Sequence, residues 1–254
     1  MKVIATCCRK GGTGKSTTTC AFADLFRRKL GKKVLLIDTD SQCNSTDTFR
    51  ASGDGLTLYD LITDETLDPK RAIQHCDFVD IIPSSQALDD IETIVREKKI
   101  DYGVLDRIIS KISGYDYIIL DTGPALGFML YSATYAADEI LIVLKADRYS
   151  VQAFTQMMSF VYFMQDEYNP ELTIPGVLLT QFKGNTNAHK AVKNVIAQFA
   201  ESEGTHLINQ PIRDSIVVTD AQMARVPVTV YDERHPVTSD YTAAFEEFVR
   251  LEEK

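Results

Sequence analysis

The sequence predicts an α/β doubly wound fold, a mostly parallel sheet flanked by helices. Three observations carry that prediction. Short runs rich in Ile, Val and Leu alternate with longer amphipathic segments, the pattern of strand–helix–strand units joined by right-handed crossovers. The short runs show no clean apolar/polar alternation, as expected of strands buried on both faces. A glycine-rich run separates the first strand from the first helix, where such folds bind phosphate.

The elements follow in chain order. Strands are expected at 3–8, 34–38, 79–82, 117–121, 140–144 and 177–180, each a compact apolar run. Helices are expected between and after them at 16–30, 87–97, 104–112, 151–166, 188–201 and 239–252. No Gly/Ser linker, low-complexity tract or internal repeat interrupts the series, so residues 1–254 read as one domain.

Composition narrows the function classes. The 254 residues are 44% hydrophobic and 25% charged, which excludes a mostly disordered or collagen-like chain. The net charge of −9 argues against a generally basic nucleic-acid-coating protein, although a local basic patch is compatible with it. Five cysteines, Cys7, Cys8, Cys20, Cys43 and Cys76, form no C-x-x-C pair and read as free thiols in a reducing cytosol. No apolar run has the length of a membrane span. The apolar start runs into Arg9 and Lys10 without a small-residue cleavage site, unlike a signal peptide.

Three motifs end three expected strands. The first is Arg9-Lys10-Gly11-Gly12-Thr13-Gly14-Lys15-Ser16-Thr17. Its Gly-Lys-Ser ending matches the P-loop: glycines turn backbone N–H groups onto phosphate oxygens, and the helix N-terminus adds partial positive charge. Gly11, Gly12, Thr13, Gly14, Lys15, Ser16 and Thr17 are the nucleotide-binding candidates. Lys15 would reach the β- and γ-phosphates and Ser16 would hold Mg²⁺. The second motif, Asp38-Thr39-Asp40-Ser41-Gln42-Cys43-Asn44, brings two carboxylates to the sheet edge, suited to ordering a metal or the attacking water; the bland alternative is turn capping. The third, Tyr117-Ile118-Ile119-Leu120-Asp121, is an apolar strand ending in a carboxylate, the Walker B pattern.

Together these motifs resemble the ParA/MinD family of ATPases, whose P-loop is deviant. Arg9 stands where a standard P-loop has its first glycine, and Lys10 occupies the place of the family's additional lysine. Ser41 replaces a proline of the family's D-x-D-P-Q-x-N segment, and Gly123 replaces the first proline after the Walker B aspartate. The likeness extends through Thr57–Ile62, Ile82–Ser85, Ala136–Val143, Gly176–Thr180 and the Tyr231-Asp232 ending, nearly the whole chain. The resemblance implies a SIMIBI-type P-loop fold and a Mg²⁺-dependent ATPase with ATP as its nucleotide. It implies Lys10, Lys15 and Asp40 as catalytic residues, with Lys10 reaching the nucleotide of a second subunit and Asp40 positioning water. It further implies metal-site roles for Ser16, Asp38 and Asp121, an ATP-dependent homodimer, and a ParB-like adaptor that stimulates hydrolysis. The cellular role would be partition of plasmid or chromosome, or positioning of another cargo. The expected location is cytoplasmic, nucleoid-associated where DNA is bound. The chain is expected to lack the N-terminal helix-turn-helix domain of larger plasmid ParA proteins.

Some positions depart from the family's DNA-binding branch. Asn185, Asp214 and Val217 stand where basic residues occur in Soj-like members. Lys183, Lys190, Lys193 and Arg213 could form a displaced patch, or simply solvate a surface. The alternative is a MinD-like membrane-associated positioning ATPase, but the tail from Phe245 to Lys254 is acidic and anionic lipid would repel it. No cysteine follows Cys76, which argues against the iron–sulfur branch. Only Tyr231 and Tyr241 lie near the end, too few for a tyrosine-kinase tail.

Overall fold

The computed structural model describes residues 1–252. Strands are β1 (Lys2–Cys7), β2 (Val34–Asp38), β3 (Gln74–His75), β4 (Asp80–Ile82), β5 (Tyr117–Asp121), β6 (Glu139–Lys145) and β7 (Thr173–Thr180). Helices are α1 (Lys15–Leu30), α2 (Asn44–Thr48), α3 (Leu58–Thr63), α4 (Ile91–Lys98), α5 (Val104–Ser110), α6 (Phe128–Ala136), α7 (Ser150–Glu167), α8 (Asn187–Ser202), α9 (Ile216–Ala224), α10 (Val228–Tyr231) and α11 (Pro236–Glu252). Among the described residues the strands form one sheet of order β3-β4-β2-β5-β1-β6-β7. Every pairing is parallel except β3 with β4.

The strand runs lack alternation because both faces are covered. Leu35, Ile37, Ile118, Leu120, Ile140 and Ile142 point into one core. Leu36, Ile119, Leu141, Val143 and Leu178, their neighbours in sequence, point into the other. The second core is closed by α1 and α11, whose Phe22, Phe26, Phe245 and Phe248 interlock with ring centroids 4.8 to 5.6 Å apart. Such pairs contribute about 0.5–1.5 kcal/mol each beyond area burial.

Element boundaries depart from the expected ones where local chemistry intervenes. The expected helix 87–97 is a 3₁₀ turn, Gln86–Asp90, followed by α4, because Ser85 accepts the N–H of Ala87 and starts a tighter turn. Strand β7 begins at Thr173, earlier than expected, and carries Pro175 and Gly176 beside an irregularity in its pairing with β6. α6 escapes an amphipathic reading because six of its nine residues, Ser132 and Thr134 among them, are buried. α3 is short but capped: Asp60 accepts the N–H of Thr57 at 2.8 Å.

Among the described residues no helix is long and apolar enough to cross a membrane. The bulky residues of the final helix, Phe245 and Phe248, are 1% and 0% exposed, committed to the core. Glu253 and Lys254 of the acidic tail lie outside the described residues.

Sheet order brings the motif-bearing ends together. β2, β5 and β1 are neighbours, so their carboxyl ends present Asp38, Asp121 and the start of the P-loop side by side. This is the edge at which open parallel sheets bind ligands.

Candidate functional site

The loop from Arg9 to Gly14 turns between β1 and α1. It needs left-handed backbone at Gly12 (φ 69°) and Gly14 (φ 83°), which glycine adopts without a Cβ penalty. Residues 11–17 line a cavity of about 380 Å³ shared with Asp40, Gln42 and Pro124. At its floor Lys15 is 6% exposed. Its ammonium donates to the Lys10 carbonyl at 3.3 Å and, among the described residues, makes no ion pair. A buried ammonium without an anion is costly, and a phosphate in this cradle would supply the missing charge. The amides and lysine present therefore fit a phosphorylated ligand.

The far end of β7 clasps the same loop. Thr180 Oγ1 donates to the Thr13 carbonyl at 2.6 Å, and Gln181 Nε2 donates to the Gly12 carbonyl at 2.7 Å. Lys10 points away from the floor. Its ammonium sits 2.5 Å from Asp147 and 5.1 Å from the Tyr149 ring centroid.

The carboxylates form a second layer. Asp38 and Asp121 are in register on adjacent parallel strands and both are 0% exposed. Asp38 is saturated: one oxygen accepts the Asp40 N–H at 3.1 Å, and the other accepts the Thr46 N–H at 2.8 Å and its hydroxyl at 2.7 Å. Asp121 accepts the Ser45 hydroxyl at 2.6 Å and the Thr19 hydroxyl at 3.3 Å. Burial, then the neighbouring Asp121 charge, pushes the Asp38 carboxyl up to about 8 against the pull of Thr46. Burial likewise raises Asp121 to about 6, opposed by the Ser45 and Ser16 hydroxyls and by Lys15. Such a pair takes up a proton more readily than ordinary carboxylates do. Among the described residues no three His, Cys, Asp or Glu side chains cluster as a self-sufficient metal cage. Ser16 lines the cradle and its hydroxyl interacts with the Asp121 carboxylate behind it, a hydroxyl–carboxylate pair that suits Mg²⁺, which keeps waters and takes phosphate oxygens as ligands.

Asp40, 8% exposed, borders the cradle. Its carboxylate accepts the Gln42 N–H at 3.1 Å and its carbonyl accepts the Ser84 hydroxyl at 2.7 Å. Gly123 lies against it, since a Cβ there would stand 3.2 Å from Asp40 Oδ1.

Beyond the cradle a smaller cavity of about 290 Å³ opens between β7 and α9, lined by Thr180, Gln181, Ile212, Ser215, Val218 and Tyr241 among others. It has the size for a nucleobase.

The motif residues come together as a site, whereas the four basic candidates do not form a uniform patch. Arg213 is taken by the buried Asp240 through bonds of 2.6 and 2.9 Å. Lys183 pairs with Asp214 at 3.3 Å, and Lys193 donates to the Asn209 carbonyl at 2.7 Å. Lys190 stands exposed on α8. Of the two readings the sequence left open, a displaced patch or a solvated surface, a patch of all four is the less favoured here, because local acids pair with Lys183 and Arg213. Sequence reading also missed Ser45, Thr46, Ser84, Asp147, Gln181 and Gln222. The hydroxyl run after Asn44 was the available signal for the first two; the others act through long-range contacts.

Comparison with known proteins agrees with this geometry. The model of a family described as an AAA domain matches residues 1–174. The chain is 30% identical over 249 residues to the sporulation initiation inhibitor protein Soj of Bacillus subtilis, covering 92% of each chain. A plasmid partition protein from Borrelia burgdorferi superposes with a TM-score of 0.77 at 26% identity, covering 98% of each chain. The fold is also that of the Cyanothece McdA(D38A)–ATP complex, with a TM-score of 0.82 at 20% identity over 100% of this chain and 95% of that one. With a P-loop carrying two lysines, an aspartate pair at adjacent strand ends and this span of similarity, the chain belongs to the ParA/MinD family of P-loop ATPases.

Proposed function

We propose that this protein is a ParA-type ATPase that binds Mg²⁺·ATP, closes into a homodimer and opens again on hydrolysis to partition or position a cargo. The observation that carries the reading is the buried Lys15 ammonium, set in a glycine cradle and, among the described residues, in no ion pair. Residues 11–17 wrap the phosphates with main-chain N–H groups, and Lys15 bonds the β- and γ-phosphates. Ser16 and Asp121 would hold Mg²⁺, and the ion would supply compensation for the negative charge of the phosphoryl oxygens. Asp38 fixes the loop through Thr46 and Asp40. Asp40, at the cradle rim and with backbone on both sides tied down, orients the attacking water. Lys10 reaches the phosphates of the second subunit. This chemistry is positioning and charge compensation.

The dimer's adaptor is a ParB-like protein that accelerates hydrolysis, and nonspecific DNA is the surface from which the dimer is released. The Soj relative and the Borrelia plasmid partition structure support that setting. The membrane-associated alternative loses support from the final helix, whose Phe245 and Phe248 are core residues.

The test combines ATP binding, sizing and phosphate release. The wild type should bind ATP, shift to a dimer and hydrolyse slowly. Lys15→Ala should lose binding. Asp40→Ala should bind and dimerise but stop turning over. Rapid hydrolysis by Asp40→Ala would remove Asp40 from its role, and wild type that binds no ATP would overturn the reading.

A further inference from the structure

Two cavities meet on this molecule, and the residues they share are informative. The phosphate cradle and the smaller cavity beside β7 have Gly12, Gly14, Thr17 and Gln222 in common. In a nucleoside triphosphate the sugar joins phosphate to base. Residues bordering both cavities therefore border the sugar, provided the ATP reading above holds. Two of the four are glycines with no side chain to offer. Thr17 belongs to the P-loop motif. Gln222 comes from α9, an element outside every nucleotide motif in the sequence.

The Gln222 side chain is already held at that junction. Its Nε2 donates to Thr17 Oγ1 at 3.1 Å. Among the described residues its Oε1 has no hydrogen-bond partner, and the second N–H of the amide is likewise unspent. A ribose hydroxyl is donor and acceptor at once, so a primary amide can bond it in either orientation. The amide is tethered to Thr17 at the border of both cavities, and its remaining donor and acceptor are free to bond a ligand there.

We propose that Gln222 reads the ribose: its amide bonds a sugar hydroxyl of the bound nucleotide and makes the site prefer a ribonucleotide over its deoxy counterpart. Gln222 is thus a specificity-determining residue supplied by α9. Its tether to Thr17 also links α9 to the first turn of α1, so sugar binding draws the two helices onto one ligand.

The experiment is equilibrium competition binding of ATP, 2′-deoxyATP and 3′-deoxyATP, with Mg²⁺, to the wild type, Gln222→Ala and Gln222→Met. One neutral hydrogen bond predicts that the wild type favours ATP over one of the deoxy analogues by about three- to tenfold. Both variants should lose about that factor for ATP, keep the wild-type affinity for that analogue, and bind the two nearly equally. Discrimination that persists in both variants overturns the proposal, and so does a wild type that binds ATP and both analogues alike. A wild type that binds none of the three overturns the ATPase reading itself, a different and recognisable result. Gln222 is exposed on α9, and Gln222→Met keeps its bulk, so loss of sugar discrimination is separable from loss of fold by far-ultraviolet circular dichroism.

Discussion

The ammonium of Lys10 and the carboxylate of Asp147 lie 2.5 Å apart within one chain, with side chains 34% and 26% exposed. The same ammonium faces the Tyr149 ring. The lysine proposed to act on a second subunit's nucleotide is therefore satisfied at home. In the proposed dimer, closure would exchange this internal pair for contacts across the interface, and that exchange would oppose dimerisation until a nucleotide offers Lys10 a stronger anion.

Asp147→Ala removes the internal competitor. An exposed pair contributes about 0.2–1 kcal/mol, and two such pairs open per dimer. The ATP-bound dimer should tighten by between about twofold and 30-fold. Sedimentation equilibrium in the hydrolysis-blocked Asp40→Ala background measures this directly. A weakened dimer would mean that Asp147 serves the interface instead of competing with it.

The Asp38–Asp121 pair gives a pH dependence with a definite sign. Both carboxyls are raised by burial, to about 8 and about 6. Each folded value exceeds its unfolded one, so the folded state binds the extra proton. The associated stability is complete below the ordinary carboxylate range and is lost as pH rises through about 6 to 8. The nucleotide-free protein should therefore melt at progressively lower temperature from pH 6 to pH 8. Mg²⁺ bound beside Asp121, as proposed, would reverse the preference and favour the ionised pair. Mg²⁺·ATP binding should release protons and should stabilise more at pH 8 than at pH 6. Calorimetry in buffers of differing ionisation enthalpy counts those protons, and zero release would contradict a shared proton in the pair.

Gly123 tests the geometry of Asp40. A Cβ at 123 would sit 3.2 Å from Asp40 Oδ1, so Gly123→Ala forces the carboxylate to move by a few tenths of an ångström. ATP binding depends on the cradle and should change by less than about twofold. If Asp40 orients the attacking water as proposed, a misplacement of this kind should cost between about tenfold and a hundredfold in kcat. Equal losses in affinity and kcat would show that the substitution disturbs the cradle as well.

What was legible in the sequence was what short-range chemistry determines. β2 and β5 ran over the residues expected because unbroken buried runs, all five positions of β2 and the last four of β5, leave no ambiguity. The P-loop was legible because its glycines and lysine act through neighbouring backbone. α6 was not, since six of its nine residues are buried, leaving no exposed polar stripe for a helical period to show. Long-range supports of the site were equally hidden. Ser84 reaches the Asp40 carbonyl across 44 residues, and Gln181 reaches Gly12 across 169. Side-chain identity alone carries no sign of such contacts. The basic residues misled for a related reason: Arg213 reads as a free cation in sequence, while Asp240, 27 residues on, holds it in the fold.

Asp214 provides the sharpest test of DNA binding. Its carboxylate neutralises Lys183 at 3.3 Å, one of the exposed cations near the end of β7. Asp214→Lys should release Lys183 and add a second positive charge at the same place. If the ATP-bound dimer holds DNA through this face, each added phosphate contact releases counterions. The slope of log affinity against log salt should then steepen by about 0.9 per contact, or about 1.8 per subunit. Binding at fixed low salt should strengthen, equally for unrelated DNA sequences, since phosphate contacts carry no base information. The measurement is an ATP-dependent DNA shift across a salt series, with wild type and Asp214→Lys side by side. Identical slopes would move DNA contact away from Lys183 and Asp214 altogether.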